Sequence, residues 1–203
     1  TDDNVWLENE SMISHQGKLI YIIVKDHLSV DTIEAFDPDV LFIANEINTT
    51  TEELVSYIRN RVKNNTLSLI VSGGTLLYGT TGYDLIELFK LPALNYNYQL
   101  SQDTKIKITS PEHMIFQNIT SDEIQVSNRT TLMDPILSWP AISNNTLAQG
   151  TVYGKLAIIA INDTWRSVLF TWPIENKRAS DEEKIMLLNA MIWVSNIPKL
   201  RLV

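Results

Sequence analysis

Three short, nearly uninterrupted apolar runs restrict this chain more than any other feature. They are Lys18–Lys25 (KLIYIIVK), Val40–Ala44 (VLFIA) and Leu67–Val71 (LSLIV). Each has the length of a strand, is rich in β-branched and aliphatic residues, and reads as a buried strand. A strand that is apolar at every position must be covered on both faces, which is the condition of a parallel sheet layered between helices. Helical patterns fall between and after these runs. Leu28–Phe36 carries apolar residues at 28, 30, 33, 35 and 36, and Asp37-Pro38-Asp39 breaks it. Thr50-Thr51-Glu52-Glu53 has the form of a capping box, with Thr50 at the cap and Glu53 reaching back. Leu54, Tyr57, Ile58, Arg61 and Val62 follow at helical spacing until Asn64-Asn65. Tyr83–Phe89 reads as another short helix, ended near Pro92. This order predicts an α/β fold, a flavodoxin-like three-layer sandwich with a mainly parallel central sheet and right-handed crossovers.

The flanking segments are less regular. Residues 1–17 are polar and irregular, and residues 93–150 form a less regular insertion. Within it, Thr104–Ile108 (TKIKI) alternates like a half-exposed strand, and Glu123–Ser127 suggests another. Thr151–Ile161 and Ser167–Trp172 read as neighbouring strands joined by a turn around Asn162-Asp163. Ser180-Asp181-Glu182-Glu183 is a second capping box. It opens a final amphipathic helix with Ile185, Leu188, Ala190, Met191, Ile192 and Val194 inward. No repeat or linker divides the chain, so residues 1–203 read as a single domain.

Composition narrows the chemistry. The chain has no Cys, which excludes disulfides, thiolate metal sites and thiol nucleophiles. Its formal net charge of −8 argues against nucleic acid as a partner, since phosphate binding needs clustered Lys and Arg. No run approaches the roughly 18 apolar residues of a membrane span. Thr1-Asp2-Asp3-Asn4 has neither an initiator Met nor a charged-then-apolar leader, and reads as a processed or trimmed start.

The Asn-x-Ser/Thr triplets are unusually frequent. They begin at Asn9, Asn48, Asn64, Asn118, Asn128, Asn144 and Asn162, and six of the seven end in Thr. With 17 Asn and 18 Thr in 203 residues, random placement yields only about 1.5 Asn-x-Thr triplets. Asn and Thr also share a preference for turns and caps. The excess predicts N-linked glycans, and hence an exported protein. Export without Cys suits an archaeal or viral surface protein better than a eukaryotic secreted domain of this size.

In order, VLFIANEI, TTEELVSYIRNRV, LSLIVSGGT and Leu85–Pro92 (LIELFKLP) resemble the class I glutamine amidotransferase-like superfamily. The resemblance is nearer to its non-amidotransferase branch, the trehalose-utilisation-type (ThuA-like) domains. Thr109–Ile115 (TSPEHMI), Ser167–Pro173 (SVLFTWP) and Leu187-Leu188-Asn189-Ala190-Met191-Ile192-Trp193 continue it, so that it spans about residues 18–196. It implies an amidotransferase-like α/β fold. The active members carry a Cys nucleophile on a strand-to-helix turn with a downstream His and Glu. Here Ser72-Gly73-Gly74-Thr75 stands at that turn, and no His follows His113. Glutamine hydrolysis through that triad is therefore excluded.

Ser72 is the nucleophile candidate at a strand end, with His113 or His27 as its base if the fold brings one close. The same strand ends could form a ligand pocket from Asn45, Glu46, Ser72, Gly73 and Gly74. The glycines equally serve a tight turn. His15, His27 and His113 are scattered without metal-ligand spacing, so no metal and no cofactor is expected. Tyr96 and Tyr98 could form an aromatic contact strip, whereas Trp172 and Trp193 sit in core elements. The leading expectation is a non-catalytic, N-glycosylated structural or interaction module, extracellular or at a cell surface. Its partners would be other surface proteins or copies of itself. The alternatives are an extracellular solute- or glycan-binding domain, and a serine hydrolase acting through Ser72.

Overall fold

The computed structural model describes residues 6–7, 11–25, 28–44, 51–73, 83–91, 104–126, 145–152, 154 and 156–195. A seven-stranded mixed sheet lies at the centre of an α/β fold. Its strands are β3 (Val40–Ile43), β4 (Ser68–Ser72), β5 (Lys105–Ile108), β6 (Glu123–Gln125), β7 (Thr146–Gly150), β8 (Leu156–Asn162) and β9 (Arg166–Phe170). Their spatial order is β3-β4-β9-β8-β7-β5-β6. β3, β4 and β9 are parallel, and every pairing beyond β9 is antiparallel. The expectation of a mainly parallel sheet thus holds for three strands only. The reason is the turn Asp163–Trp165. Three residues cannot carry the chain back to the start of β8, so β9 must run opposite to it. Beyond β8, β7 pairs antiparallel with β8, β5 with β7 and β6 with β5.

The run Lys18–Lys25 is not a strand of this sheet. Its first part, β2 (Lys18–Ile22), pairs in a separate hairpin with β1 (Ser11–His15), which lies in the segment expected to be irregular. Gln16 and Gly17 form the two-residue turn, both with positive φ (49° and 72°), as a type I′ turn requires. Pairing Met12 with Tyr21 and Ser14 with Leu19 places these four on one face, and Met12, Leu19 and Tyr21 are exposed. Ile13, Ile20 and Ile22 pack inward.

Helix α1 (Val30–Phe36) starts at Ser29, whose side chain accepts from Thr32 N, and stops at Asp37 in a left-handed conformation. Helix α2 (Glu52–Lys63) is capped by Thr51 Oγ1, which accepts from Leu54 N at 3.2 Å. The cap is thus one residue later than expected; Thr50 lies outside the described residues. Leu54, Val55, Ile58 and Val62 are buried at helical spacing, and Asn64 closes the helix. Arg61 joins α2 to the end of α1 through Asp37 at 2.7 Å. Helix α3 (Tyr83–Ile86) continues into a 3-10 turn, Glu87–Phe89.

Helix α4 (Asp181–Ser195) departs from the amphipathic expectation, since every residue from Met186 to Val194 is buried. One side lies on the parallel strands, where Ser68 Oγ donates to Val194 O at 2.9 Å. Another side is covered by the 3-10 turn Met114–Phe116 of the β5–β6 connection. The hairpin tip reaches a third position on the helix, Asn189. Its start matches the predicted capping box: Ser180 Oγ accepts from Glu183 N (3.2 Å), and Glu183 Oε2 accepts from Ser180 N (2.7 Å). The other carboxylate oxygen accepts from Trp172 Nε1 at 2.8 Å, fastening α4 to the end of β9.

Candidate functional site

Ser72 is the last residue of β4, paired with Phe170 of β9. Side chains alternate along a strand, so Ser68 and Ser72 share the α4 face. Ser72 is fully buried, and its Oγ donates to the carboxylate of Glu175, itself buried. The next amide is also committed: Gly73 N donates to Phe170 O at 2.9 Å and to Trp172 O at 3.2 Å. In a nucleophile elbow, the amide after the nucleophile must point at the developing oxyanion. Here it turns back into the sheet end, with Gly73 at φ 71°. Ser72 therefore sits in a regular strand end rather than on an exposed elbow.

The chain crosses above this point. Trp6 N donates to Glu175 O at 3.0 Å and Trp6 Nε1 to Ile174 O at 3.2 Å, while Leu7 is buried. Glu175 thus links the N-terminal segment to the end of β4. Of the expected pocket residues, Ser72 and Gly73 meet in this way, whereas Asn45, Glu46 and Gly74 lie outside the described residues. No sequence motif had marked Glu175; its position three residues after Trp172 was the available signal.

Of the two expected bases, His113 lies away from Ser72. His113 packs against Trp193, with ring centroids 4.9 Å apart, and its Nδ1 accepts from Ile115 N. Trp193 adjoins Val194, whose carbonyl meets Ser68 at the start of β4, so His113 occupies the opposite end of the strand. Four residues of strand separate Ser68 from Ser72, roughly 13 Å. Burial pushes the His113 imidazole pKa below its ordinary value; Glu112 opposes this and Arg166 adds to it. The Arg166 guanidinium lies over Trp193, 5.1 Å from the ring centroid, and donates to Trp193 O at 2.5 Å. His15 is engaged with Asn189, and His27 lies outside the described residues. Among the described residues no group of three or more His, Asp or Glu is placed to hold a metal ion.

Three triplet asparagines are described, and all are exposed. Asn64 is the C-cap of α2 and leads into β4. Asn118, in the left-handed region at φ 67°, lies in the connection from β5 to β6. Asn162 ends β8 and opens the turn into β9. β4 and β9 begin where these loops end, and β5 finishes and β6 starts at that same edge of the sheet. The three asparagines therefore share one end, opposite Ser72 and Glu175. Arg166 Nε donates to Asn162 Oδ1 at 3.2 Å, which occupies the amide oxygen and not its nitrogen. Asn9, Asn48, Asn128, Asn144, Tyr96 and Tyr98 lie outside the described residues; Trp172 and Trp193 are buried. No helix among the described residues is long and apolar enough to cross a membrane. No protein-family model and no curated protein matches the chain.

Proposed function

We propose that this chain is a non-catalytic, N-glycosylated module of an extracellular or cell-surface assembly. The observation that carries this reading is the placement of Asn64, Asn118 and Asn162 on exposed ends at one edge of the sheet. Bulky, hydrated glycans need such sites, and grouping them leaves the remaining surfaces for contact with other surface proteins or with copies of the same chain. The committed Ser72 hydroxyl and Gly73 amide weigh against the hydrolase alternative. We further propose descent from the class I glutamine amidotransferase-like superfamily, nearest its ThuA-like branch. The parallel unit β3–α2–β4 beside β9, with Ser72 at the strand end, supports that origin.

The test is the intact mass of the protein purified from its native source. The expected result is a mass above 23.1 kDa, with peptides containing Asn64, Asn118 and Asn162 shifted by glycan. A bare mass with unmodified peptides at all these positions would falsify the proposal.

A further inference from the structure

Thr146 opens β7 and is paired with Ile159 of β8. Its carbonyl accepts from Thr109 Oγ1 at 3.3 Å. Its own hydroxyl is buried and has no hydrogen-bond partner among the described residues. An orphaned buried hydroxyl opposes folding. Valine would keep the β-branched shape that a strand favours and would omit the unpaired oxygen. Among the described residues, nothing makes use of this oxygen. The sequence does supply a use, because Thr146 is the third residue of Asn144-Asn145-Thr146, where a glycosylation acceptor requires a hydroxyl. The corresponding residues Thr66, Thr120 and Thr164 are all exposed.

We propose that Asn144 is glycosylated before β7 closes into the sheet, whereas Asn64, Asn118 and Asn162 remain open to modification on the folded protein. This rests on the glycosylation reading above and adds an order of events to it. An enzyme that recognises the third-position hydroxyl can reach Thr146 only while β7 is unpaired. The donor is a phosphate-activated oligosaccharide. The anomeric carbon bonds to the Asn144 amide nitrogen, its bond to the phosphate oxygen breaks, and the amide proton leaves with the phosphate.

Site occupancy is read by peptide mapping after export from a glycosylating host, with Thr146→Val and Thr146→Ser beside the wild type. Expected are a glycan at Asn144 in the wild type and in Thr146→Ser, and its loss in Thr146→Val with Asn64, Asn118 and Asn162 unchanged. In unglycosylated protein, Thr146→Val should melt about 2–4 °C higher than the wild type. Incubating folded, unglycosylated chain with transferase and donor should modify Asn162 but not Asn144, and prior unfolding should open Asn144. A bare Asn144 beside occupied Asn64, Asn118 and Asn162 would overturn this order alone. So would modification of Asn144 on the folded chain, or a lower melting temperature for Thr146→Val. Bare asparagines at every triplet would overturn the glycosylation reading itself.

Discussion

Replacing Asn189 by Asp should destabilise the protein in a strongly pH-dependent way. Asn189 is fully buried in the middle of α4 and uses its whole hydrogen-bonding capacity. Its Nδ2 donates to Ile115 O (3.0 Å) and Gln117 O (2.9 Å), and its Oδ1 accepts from His15 Nε2 (2.7 Å) and Gln16 Nε2 (2.8 Å). One amide thereby ties the hairpin tip and the Met114–Phe116 turn to the same helix. Asn189→Asp keeps the shape but removes both donors. An ionised carboxylate would face two carbonyl oxygens, so the introduced group takes up a proton instead. Carrying that proton at pH 7 costs about 1.4 kcal/mol for each unit above a reference near 3.9, or about 4 kcal/mol. The protonated form donates to one carbonyl only, and the carbonyl left without a donor costs about 1–3 kcal/mol more. The total is about 5–7 kcal/mol at pH 7, comparable with the whole stability of a typical domain. The folded-state pKa of the introduced carboxyl is raised, so its destabilisation is smallest near pH 4 and grows as pH rises. Denaturant unfolding of variant and wild type at pH 4, 5, 6 and 7 measures this directly. A difference that stays flat across that range, or lies below about 1 kcal/mol at pH 7, would refute the assignment of these four bonds.

Further expectations concern the other buried polar links. Glu183→Gln removes one of the two acceptor oxygens that hold Trp172 Nε1 and Ser180 N, and should cost about 1–3 kcal/mol in denaturant unfolding; no measurable change would show that these bonds are not formed. Ser72→Ala deprives the buried Glu175 carboxylate of a donor and should lower stability by about 1–3 kcal/mol. Loss of a measured hydrolytic turnover in that variant would contradict the non-catalytic reading. The lowered pKa of His113 means that the folded state resists its protonation. Its contribution is therefore intact above the unfolded value near 6.5 and is lost as pH falls below it. Replacing His113 by Asn keeps an acceptor for Ile115 N and should flatten the thermal-stability profile below pH 6.5; an unchanged profile would move that pH dependence to other groups.

Local patterns made some elements readable and left others hidden. The alternation in TKIKI predicted β5, where Ile106 and Ile108 are buried and Lys105 and Lys107 are exposed. The Ser180–Glu183 box appears with both reciprocal bonds, because capping depends only on neighbours three residues apart. The run KLIYIIVK misled for a non-local reason. A hairpin needs only one covered face, and Leu19 and Tyr21 occupy the other. The overlooked signal was Gln16-Gly17 between two strand-length segments. β7 is not legible in the sequence because TLAQG carries no apolar run; β5 and β8 on either side determine its pairing. At the candidate site, the strand-end position of Ser72 was legible from the apolar run before it. Its partner Glu175, 103 positions away, depends on how β4 and β9 come together. The exposure of Asn64 and Asn162 followed from their places at element ends, but their common edge required the strand order.

That order also has a consequence for synthesis. β9 lies between β4 and β8, although it is the last of the seven strands to be made. As the polypeptide emerges, β3 and β4 can associate early, and β5 to β8 can zip together next, but the two halves have no ladder between them until residues 166–170 arrive. Each half then carries an open edge, a ready template for pairing with the wrong neighbour. Chains halted before Arg166 should accordingly be prone to intermolecular pairing. A nascent chain would be released from that hazard in one late event, when its final strand slots into the gap.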